Sequence, residues 1–212
     1  LRMVQRRARA FFRGPAARAL AIFKNHGPQA GASMPHSHFQ LLALPAVPPS
    51  IAQRRANEAA HFRQCGEPLL TLLAREELAR GARVIEGGER GALVFCPYAS
   101  RFPYQALILP GGAEGPAQAS FLEAAPEALG AAGAALARQL RRLKALLGDP
   151  PLNAFLHADC RDGSDPRAHP WHLDVFPRLT ALAGLEAASG AHILEVSPED
   201  AAGRLKMEAS PA

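Results

Sequence analysis

The spacing of apolar residues along the chain changes several times between a pattern typical of helices and one typical of strands. Residues 3–18 combine Ala and Arg in a helical pattern that Gly14 and Pro15 interrupt, which predicts a basic helix followed by a break. Runs rich in branched and aromatic residues, closed by turn-forming residues, predict strands. These runs are ALAIF, SHFQLLALPAV, YQALILP, LNAFLHA and HLDVFPRL, and VIEGGERGALVFCPY predicts a hairpin through its Gly-Gly turn.

Three further segments have the pattern of helices. Residues 51–80 are mostly helical, with breaks at Gly66 and Pro68, and the Ala-rich segment 119–147 is stopped by Gly148. The stretch PEDAAGRLK near the end has Pro at its first turn, where Pro is well tolerated. Strands and helices in this arrangement predict an α+β fold.

A weak internal repeat divides the chain. Later in the chain, a hairpin, a strand and a long helix precede Asn153, which is followed by a loop and a strand beginning at His172. Earlier, only 24 residues precede Asn25, which is also followed by a loop and by His36. We therefore expect two related units, the first of which lacks its N-terminal part.

The repeat predicts that the chain is divided into three segments. Residues 1–50 would be the C-terminal part of the first unit, residues 51–82 a connecting helical segment, and residues 83–212 the second unit. A sheet that lacks its first strands exposes an edge and an apolar face. We therefore expect further residues upstream in the gene, and we expect residues 1–212 alone to be aggregation-prone and inactive.

Composition narrows the class of protein only in part. Charged residues make up 20% of the chain and the net charge is +5, an ordinary balance for a globular protein. The basic segments lack interleaved aromatic residues and RNA-binding motifs, so we predict no nucleic-acid partner. No apolar run is long enough to predict a membrane span. The cysteines are few and far apart, which predicts no disulfide framework and a cytoplasmic location: Cys65, Cys96 and Cys160.

The stretch NHGPQAGASMPHSHFQ at 25–40 carries the candidate chemistry. If His36 and His38 lie on a strand, both imidazoles face one side together with Gln40. The Gly-Ala-Ser turn upstream can expose backbone N–H groups, and successive N–H groups form an anion-binding concavity. Ser33 adds a hydroxyl and Asn25 an amide. An imidazole that faces such a concavity is suited to attack on phosphorus.

The pattern by itself leaves two other interpretations open. Two His on one strand face often bind a metal, although the residues that follow, FQLLALPAVPPSIAQRR, contain no carboxylate. A pair of half-buried structural His is the other alternative, but it explains neither the turn nor Gln40.

The motif N-x-G-x2-AGAS-x2-H-x-H-x-Q resembles the active-site segment of galactose-1-phosphate uridylyltransferases, in the histidine-triad superfamily. It also resembles the related ADP-glucose phosphorylases of plants. RFPYQALILP, DPPLNAFLHA, WHLDVFPRLTALAGLE and SPEDAAGRLK follow in the family's order and spacing. The resemblance implies two histidine-triad-like units, each an antiparallel sheet with a long helix, the first truncated. It covers nearly the whole chain, but only the later two-thirds of a typical family member.

The resemblance implies a uridylyltransferase that acts through a covalent nucleotidyl-histidine. His38 would attack the α-phosphorus of UDP-glucose, and galactose 1-phosphate would then accept the nucleotidyl group in a second step. The other ring nitrogen of His38 would donate to a backbone carbonyl. His36 would support the loop or the leaving phosphate, and Gln40 would donate to a phosphoryl oxygen. The positions matching the substrate-binding residues are Asn25, Gly31, Ala32, Ser33 and Glu186.

The later unit departs from the family pattern. Glu186 is either a hexose contact or a solvated acid at the start of a strand. Asp174 stands where some members have His, so a core or interface role for His172 is favoured over metal binding. Zinc is structural in the family, but Cys65 has Pro68 in place of its C-x-x-C partner. We therefore expect no zinc site within residues 1–212.

Three functions remain as expectations. The first is uridylyl transfer between UDP-glucose and a hexose 1-phosphate. The second is cleavage of ADP-glucose with inorganic phosphate, which uses the same His38 chemistry. The third is a metal-binding H-x-H protein without transferase activity. The expected partners are a nucleotide sugar and a sugar 1-phosphate, with no membrane partner, and the sequence leaves a homodimer open.

Overall fold

A computed structural model describes residues 1–89, 91–112, 119–181 and 183–208. Within these residues the chain forms seven strands and six α-helices. The strands are β1 (Ala19–His26), β2 (Gln40–Leu44), β3 (Val84–Gly87), β4 (Ala92–Phe95), β5 (Ala106–Pro110), β6 (Leu152–His157) and β7 (His172–Pro177). The helices are α1 (Arg2–Phe11), α2 (Pro49–Cys65), α3 (Leu69–Arg80), α4 (Pro126–Leu147), α5 (Gly184–Ser189) and α6 (Pro198–Met207).

The strands form one antiparallel sheet in the order β2-β1-β6-β7-β5-β4-β3. Strand β1, which leads into the candidate motif, is paired with β2 on one side and with β6 on the other. The motif therefore begins at the end of an interior strand, which two neighbours hold by backbone hydrogen bonds.

The sheet buries both of its faces around β4. Alternate residues of a strand point to opposite faces, and in β4 all four are buried. Ala92 and Val94 belong to the main apolar cluster, which α4 covers with Leu129 and Leu136. The other two side chains of β4 join a smaller cluster on the opposite face, under α3. This double coverage explains why β4 reads as a continuous apolar run.

The α+β class and the predicted elements are largely confirmed. The hairpin appears as β3 and β4, and the helical segment 51–80 is broken between Cys65 and Leu69, as its Gly and Pro predicted. Two helices are shorter than expected: α1 ends at Phe11, and α4 begins only at Pro126. In the latter, a 3-10 turn at Phe121–Glu123 precedes Pro126, and the Pro at the first helical position sets the start.

One strand prediction is wrong in a way that matters for the site. The predicted strand SHFQLLALPAV is shorter than expected, because β2 begins only at Gln40. His36 and His38 lie before it in an irregular segment, so they do not share the face of a strand.

The strands assigned to two units lie in one continuous sheet, joined by the β1–β6 pairing. The sheet itself therefore shows no boundary between two units. The three cysteines are free thiols. Within the described residues, every helix is too short or too polar to cross a bilayer.

Candidate active site

A tight loop follows β1 and depends on Gly27. Gly27 has a φ of +79°, and a Cβ at this position would lie 3.0 Å from the Cβ of Pro151. Glycine alone combines this conformation with so close an approach. The chain then forms a 3-10 turn, Pro28–Ala30, and leaves it through Gly31, whose φ is +81°.

The N–H groups of this loop are used differently from the prediction. Those of Ala30 and Ala32 donate to the carbonyl of Gly27, both at 3.1 Å, and that of Gly31 donates to Pro28 at 2.9 Å. Gly31 and Ala32 therefore stabilise the loop and do not offer their N–H groups to an anion. Among the described residues, the N–H group of Ser33 donates to no other group, so we expect an anion to find a backbone donor there and not at Gly31 or Ala32.

Asn25 is held in one orientation by two contacts. Its Nδ2 donates to the carbonyl of Gly31 at 3.2 Å, and its Oδ1 accepts from Nδ2 of Asn153 at 2.9 Å. Asn153 also donates to the carbonyl of Ala30 at 2.9 Å. The loop is thus fastened to β1 and β6 by two side-chain amides, and one N–H of Asn25 remains for a ligand.

His38 has a defined tautomer. Its Nδ1 lies 2.6 Å from the carbonyl oxygen of His36. Because a carbonyl oxygen only accepts, Nδ1 carries a proton, so in the neutral imidazole the lone pair is on Nε2. The expected backbone partner of the second ring nitrogen is therefore present. This hydrogen bond orients the imidazole of His38 although the residue does not lie in a strand.

Four of the eight predicted site residues line one cavity of about 520 Å³: Asn25, Ala32, Ser33 and His36. Gly31, His38 and Gln40 do not line it, although Gly31 accepts a hydrogen bond from the lining residue Asn25. Pro151 closes the opposite side, beside Gly27. The loop therefore encloses enough space for a phosphate-bearing group.

Two contacts at this site were not predicted. The Nζ of Lys24 donates to Oγ of Ser37 at 2.6 Å, and burial lowers the pKa of this lysine. At the mouth of the cavity, Nε2 of His26 lies 3.1 Å from Oδ1 of Asp149. The sequence shows only that polar residues occur in or beside the motif. It does not show these two pairings, because each joins residues that are separated along the chain.

Glu186 lies elsewhere, and its predicted setting is wrong. It is the third residue of α5 and not the start of a strand. Its Oε2 accepts a hydrogen bond from the N–H of Ala183 at 3.0 Å and thereby caps the N-terminus of that helix. It lines none of the cavity described above. The hexose contact expected for Glu186 stays a prediction.

His172 is a core residue, as the sequence favoured. It is buried, its Nδ1 donates to the carbonyl of Pro170 at 2.9 Å, and its ring stacks on His157 at 4.5 Å. Burial, followed by the neighbouring His157, lowers the pKa of His172 to about 3. Burial also raises the pKa of Asp174, although Gln105 donates to its carboxylate at 3.0 Å.

The residues near Cys65 do not fit the structural zinc that the family implies. Cys65 is exposed at the end of α2, and the chain turns away through Gly66 and Pro68, which offer no ligand. Across the described ranges, no group of three or more His, Cys, Asp or Glu is arranged to hold a metal. The expected absence of zinc stays a prediction.

Comparison with known proteins places this architecture among two kinds of enzyme. The chain is 30% identical over 187 residues to ADP-glucose phosphorylase of Arabidopsis thaliana, which covers 86% of this chain and 50% of that protein. It is 29% identical over 197 residues to galactose-1-phosphate uridylyltransferase of Cryptococcus neoformans, with 87% and 50% covered. The chain thus spans about half the length of these relatives.

A solved structure of one of these two kinds of enzyme has the same fold as this chain. The Arabidopsis ADP-glucose phosphorylase with bound ADP-glucose superposes with a TM-score of 0.82 at 26% identity, covering 96% of this chain and 63% of that one. No protein-family model matches the chain. The sequence match over most of the chain and the shared architecture lead to one conclusion: this protein belongs to the family of galactose-1-phosphate uridylyltransferases and ADP-glucose phosphorylases.

Proposed function

We propose that the protein transfers a nucleotidyl group from a nucleotide sugar through a covalent nucleotidyl-His38. The observation that carries this proposal is the hydrogen bond from Nδ1 of His38 to the carbonyl of His36 at 2.6 Å. In the neutral imidazole this hydrogen bond leaves the lone pair on Nε2, which nucleophilic catalysis by imidazole requires. The two residues before His38 in the chain, His36 and Ser37, line a cavity of about 520 Å³ that has room for a phosphate group.

The reaction has two displacements at phosphorus. In the first, Nε2 of His38 attacks the α-phosphorus, the P–N bond forms, and the bond to the bridging oxygen breaks so that a sugar 1-phosphate leaves. In the second, an acceptor phosphate oxygen attacks the same phosphorus, and the P–N bond breaks to restore the imidazole. Division into two steps predicts ping-pong kinetics.

The other site residues have roles in holding charge. Asn25 keeps one amide N–H for a phosphoryl oxygen, and Ser33 offers both its N–H and its hydroxyl. Gly31 and Ala32 act through the shape of the loop, since their N–H groups are already used. Gln40, at the start of β2, would donate to a phosphoryl oxygen. His36 orients His38 through its carbonyl, and its imidazole, which lines the cavity, would support the leaving phosphate. Donors aimed at developing charge are the usual basis of such catalysis.

We place ADP-glucose first as donor, with inorganic phosphate as acceptor. ADP-glucose phosphorylase is the relative that matches at 30% identity over 86% of the chain, and the solved complex with ADP-glucose has the same architecture over 96% of it. Glucose 1-phosphate would then leave first and ADP second. Uridylyl transfer from UDP-glucose to a hexose 1-phosphate is the second candidate. A uridylyltransferase matches at 29% identity over 87% of the chain.

Two features support two histidine-triad-like units within the single sheet. Asn25 and Asn153 are directly paired on β1 and β6, and each precedes a His-containing loop. His38 and His172 both donate from Nδ1 to the carbonyl two residues earlier. In this proposal, the later unit keeps the hydrogen bond but buries its imidazole and has no catalytic role.

The test is detection of the covalent intermediate by intact-protein mass spectrometry. The full-length protein is purified and mixed with ADP-glucose or UDP-glucose, without an acceptor. We expect a nucleotidyl adduct, formed faster from ADP-glucose, that inorganic phosphate removes with release of ADP. His38→Ala should abolish the adduct, His36→Ala should slow it, and His192→Ala, a control outside the cavity, should leave it unchanged. An adduct that persists in His38→Ala would contradict the assignment.

A further inference from the structure

Lys24 is a buried ammonium group next to the proposed site. It lies on β1 directly before Asn25, and only 7% of its surface is exposed. Lysine is rarely buried this far without a charged partner. Within the described part of the chain, its single hydrogen bond goes to a neutral group, the hydroxyl of Ser37 at 2.6 Å, and it has no carboxylate in ion-pair range.

Ser37 connects that charge to the cavity. It lies between His36 and His38, is exposed, and lines the cavity together with Asn25 and Ser33. Because its oxygen already accepts a hydrogen bond from Lys24, its own proton is left to donate elsewhere. A hydroxyl that accepts from an ammonium group is a stronger donor than a free one, since hydrogen bonds in a chain polarise one another.

The charge has a cost that an anionic ligand would offset. An ammonium group loses hydration when it is buried, and one neutral hydroxyl replaces little of it. A phosphoryl group in the cavity would place negative charge one hydroxyl away from Nζ of Lys24. Because the Lys24 side chain is buried, that attraction is stronger than it would be between two surface groups.

We propose that Lys24 and Ser37 form a phosphoryl-binding relay, in which Ser37 donates to a phosphoryl oxygen of the nucleotide sugar and Lys24 supplies the charge through it. Ser37 is then a substrate-binding residue, and Lys24 a positioning residue. The identity of the bound substrate rests on the proposed function, but binding of a phosphate group does not.

The first test measures phosphate binding without any reaction. Inorganic phosphate is titrated into the folded protein by calorimetry, in the unaltered chain and in Lys24→Met, Ser37→Ala and Ser37→Thr. We expect about tenfold weaker binding for Lys24→Met and Ser37→Ala, the usual loss for one charge-assisted hydrogen bond. Ser37→Thr keeps the hydroxyl and should restore most of the affinity. Lys206→Met, a surface lysine on α6, is the control and should bind normally.

The second test measures adduct formation on His38 over a range of nucleotide-sugar concentrations. We expect Lys24→Met and Ser37→Ala to lower the second-order rate constant by about a hundredfold, the lower end of the loss when one donor to a developing oxyanion is removed. The double variant should be no slower than either single variant, because the two groups act in series. Absence of any adduct in the unaltered protein would refute the proposed function, while phosphate binding would still decide the relay.

A purely structural role gives a different result. Lys24→Met and Ser37→Ala would then change the melting temperature but bind phosphate like the unaltered protein, which would overturn the proposal. If Lys24→Met does not fold, the comparison of Ser37→Ala with Ser37→Thr decides. Equal phosphate affinity in those two variants would also overturn it.

Discussion

Nδ2 of Asn153 donates to Oδ1 of Asn25 at 2.9 Å, and the two residues are directly paired across β6 and β1. The same group of Asn153 also donates to the carbonyl of Ala30, so one buried amide holds both a site residue and the loop beyond it. The position of the candidate site thus depends on a residue about 130 positions away in the sequence, on a strand that is a neighbour only in the folded sheet.

Asn153→Ala should therefore loosen the loop and lower stability. It leaves two acceptors without their donor, which costs about 1–3 kcal/mol when the groups are buried. Chemical denaturation measures this loss, and the rate of the His38 adduct should fall with it. Asn57→Ala, which removes an exposed hydrogen bond to Gln53 on α2, is the control and should change little. Unchanged stability in Asn153→Ala would show that the amide does not fasten the loop.

The ion pair between Arg55 and Asp162 should stabilise the protein at neutral pH. Arg55 Nε donates to Asp162 at 2.5 Å, and both side chains are largely buried. Burial alone would raise the pKa of Asp162, but Arg55 and Ser164 outweigh it and hold that pKa well below its usual range. Arg55→Met should cost about 3 kcal/mol, at the lower end for buried pairs because Asp162 keeps some solvent contact.

The pH dependence of this effect has a definite sign. A carboxylate with a lowered pKa in the folded state contributes stability above its unfolded pKa and loses it as the pH falls through the folded value. The difference between the unaltered protein and Arg55→Met should therefore be largest near pH 7 and shrink in acid. Arg75→Met removes a surface pair with Glu67 and is the matched control, with no measurable loss expected. A loss in Arg55→Met that is independent of pH would contradict this account.

His172 should remain neutral throughout the physiological range. Burial, then His157 and Arg54, lower its pKa to about 3, against the opposing effects of the Pro170 carbonyl and Glu58. Because the unfolded chain takes up this proton near pH 6.5 and the folded chain does not, stability falls as the pH drops from about 6.5. His172→Phe should flatten that part of the curve. Proton NMR checks the cause, and a His172 signal titrating with a midpoint near 6.5 would contradict it.

Two cysteines should differ sharply in reactivity. Cys96 is buried, and burial raises the pKa of its thiol to about 12, so roughly one molecule in ten thousand carries the thiolate at pH 8. Cys65 is exposed at the end of α2. Iodoacetamide at pH 8 should label Cys65 in the folded protein and Cys96 only after denaturation, as peptide mass spectrometry would show. Cys65→Ser should remove the fast label, and rapid labelling of Cys96 would disprove its burial.

Several elements could be predicted because their causes are local. The hairpin of β3 and β4 follows from a Gly-Gly turn between apolar runs, and the break between α2 and α3 follows from Gly66 and Pro68. Gly31 belongs to the Gly-Ala-Ser turn that the sequence predicted, and it adopts a φ of +81°. The motif itself drew attention to His38, whose key hydrogen bond is to a residue only two positions away.

Other predictions failed where the outcome depends on distant residues. Alternation alone extended β2 back to His36, but that strand exists only as far as its pairing with β1, which begins at Gln40. The Gly-rich turn was expected to offer the N–H groups of Gly31 and Ala32, and the folded loop uses both internally. A local pattern cannot show which donors the backbone satisfies with itself.

Turn chemistry, apolar periodicity and motif spacing act over a few residues, so the amino-acid sequence alone could predict the α+β class and the residue types of the site, and its motif carried the family resemblance. Three features depend on the folded chain: the strands share one sheet, Asn153 holds Asn25, and the ammonium group of Lys24 reaches Ser37. These contacts join segments whose meeting depends on strand order and burial, and both are set by the packing of the whole chain.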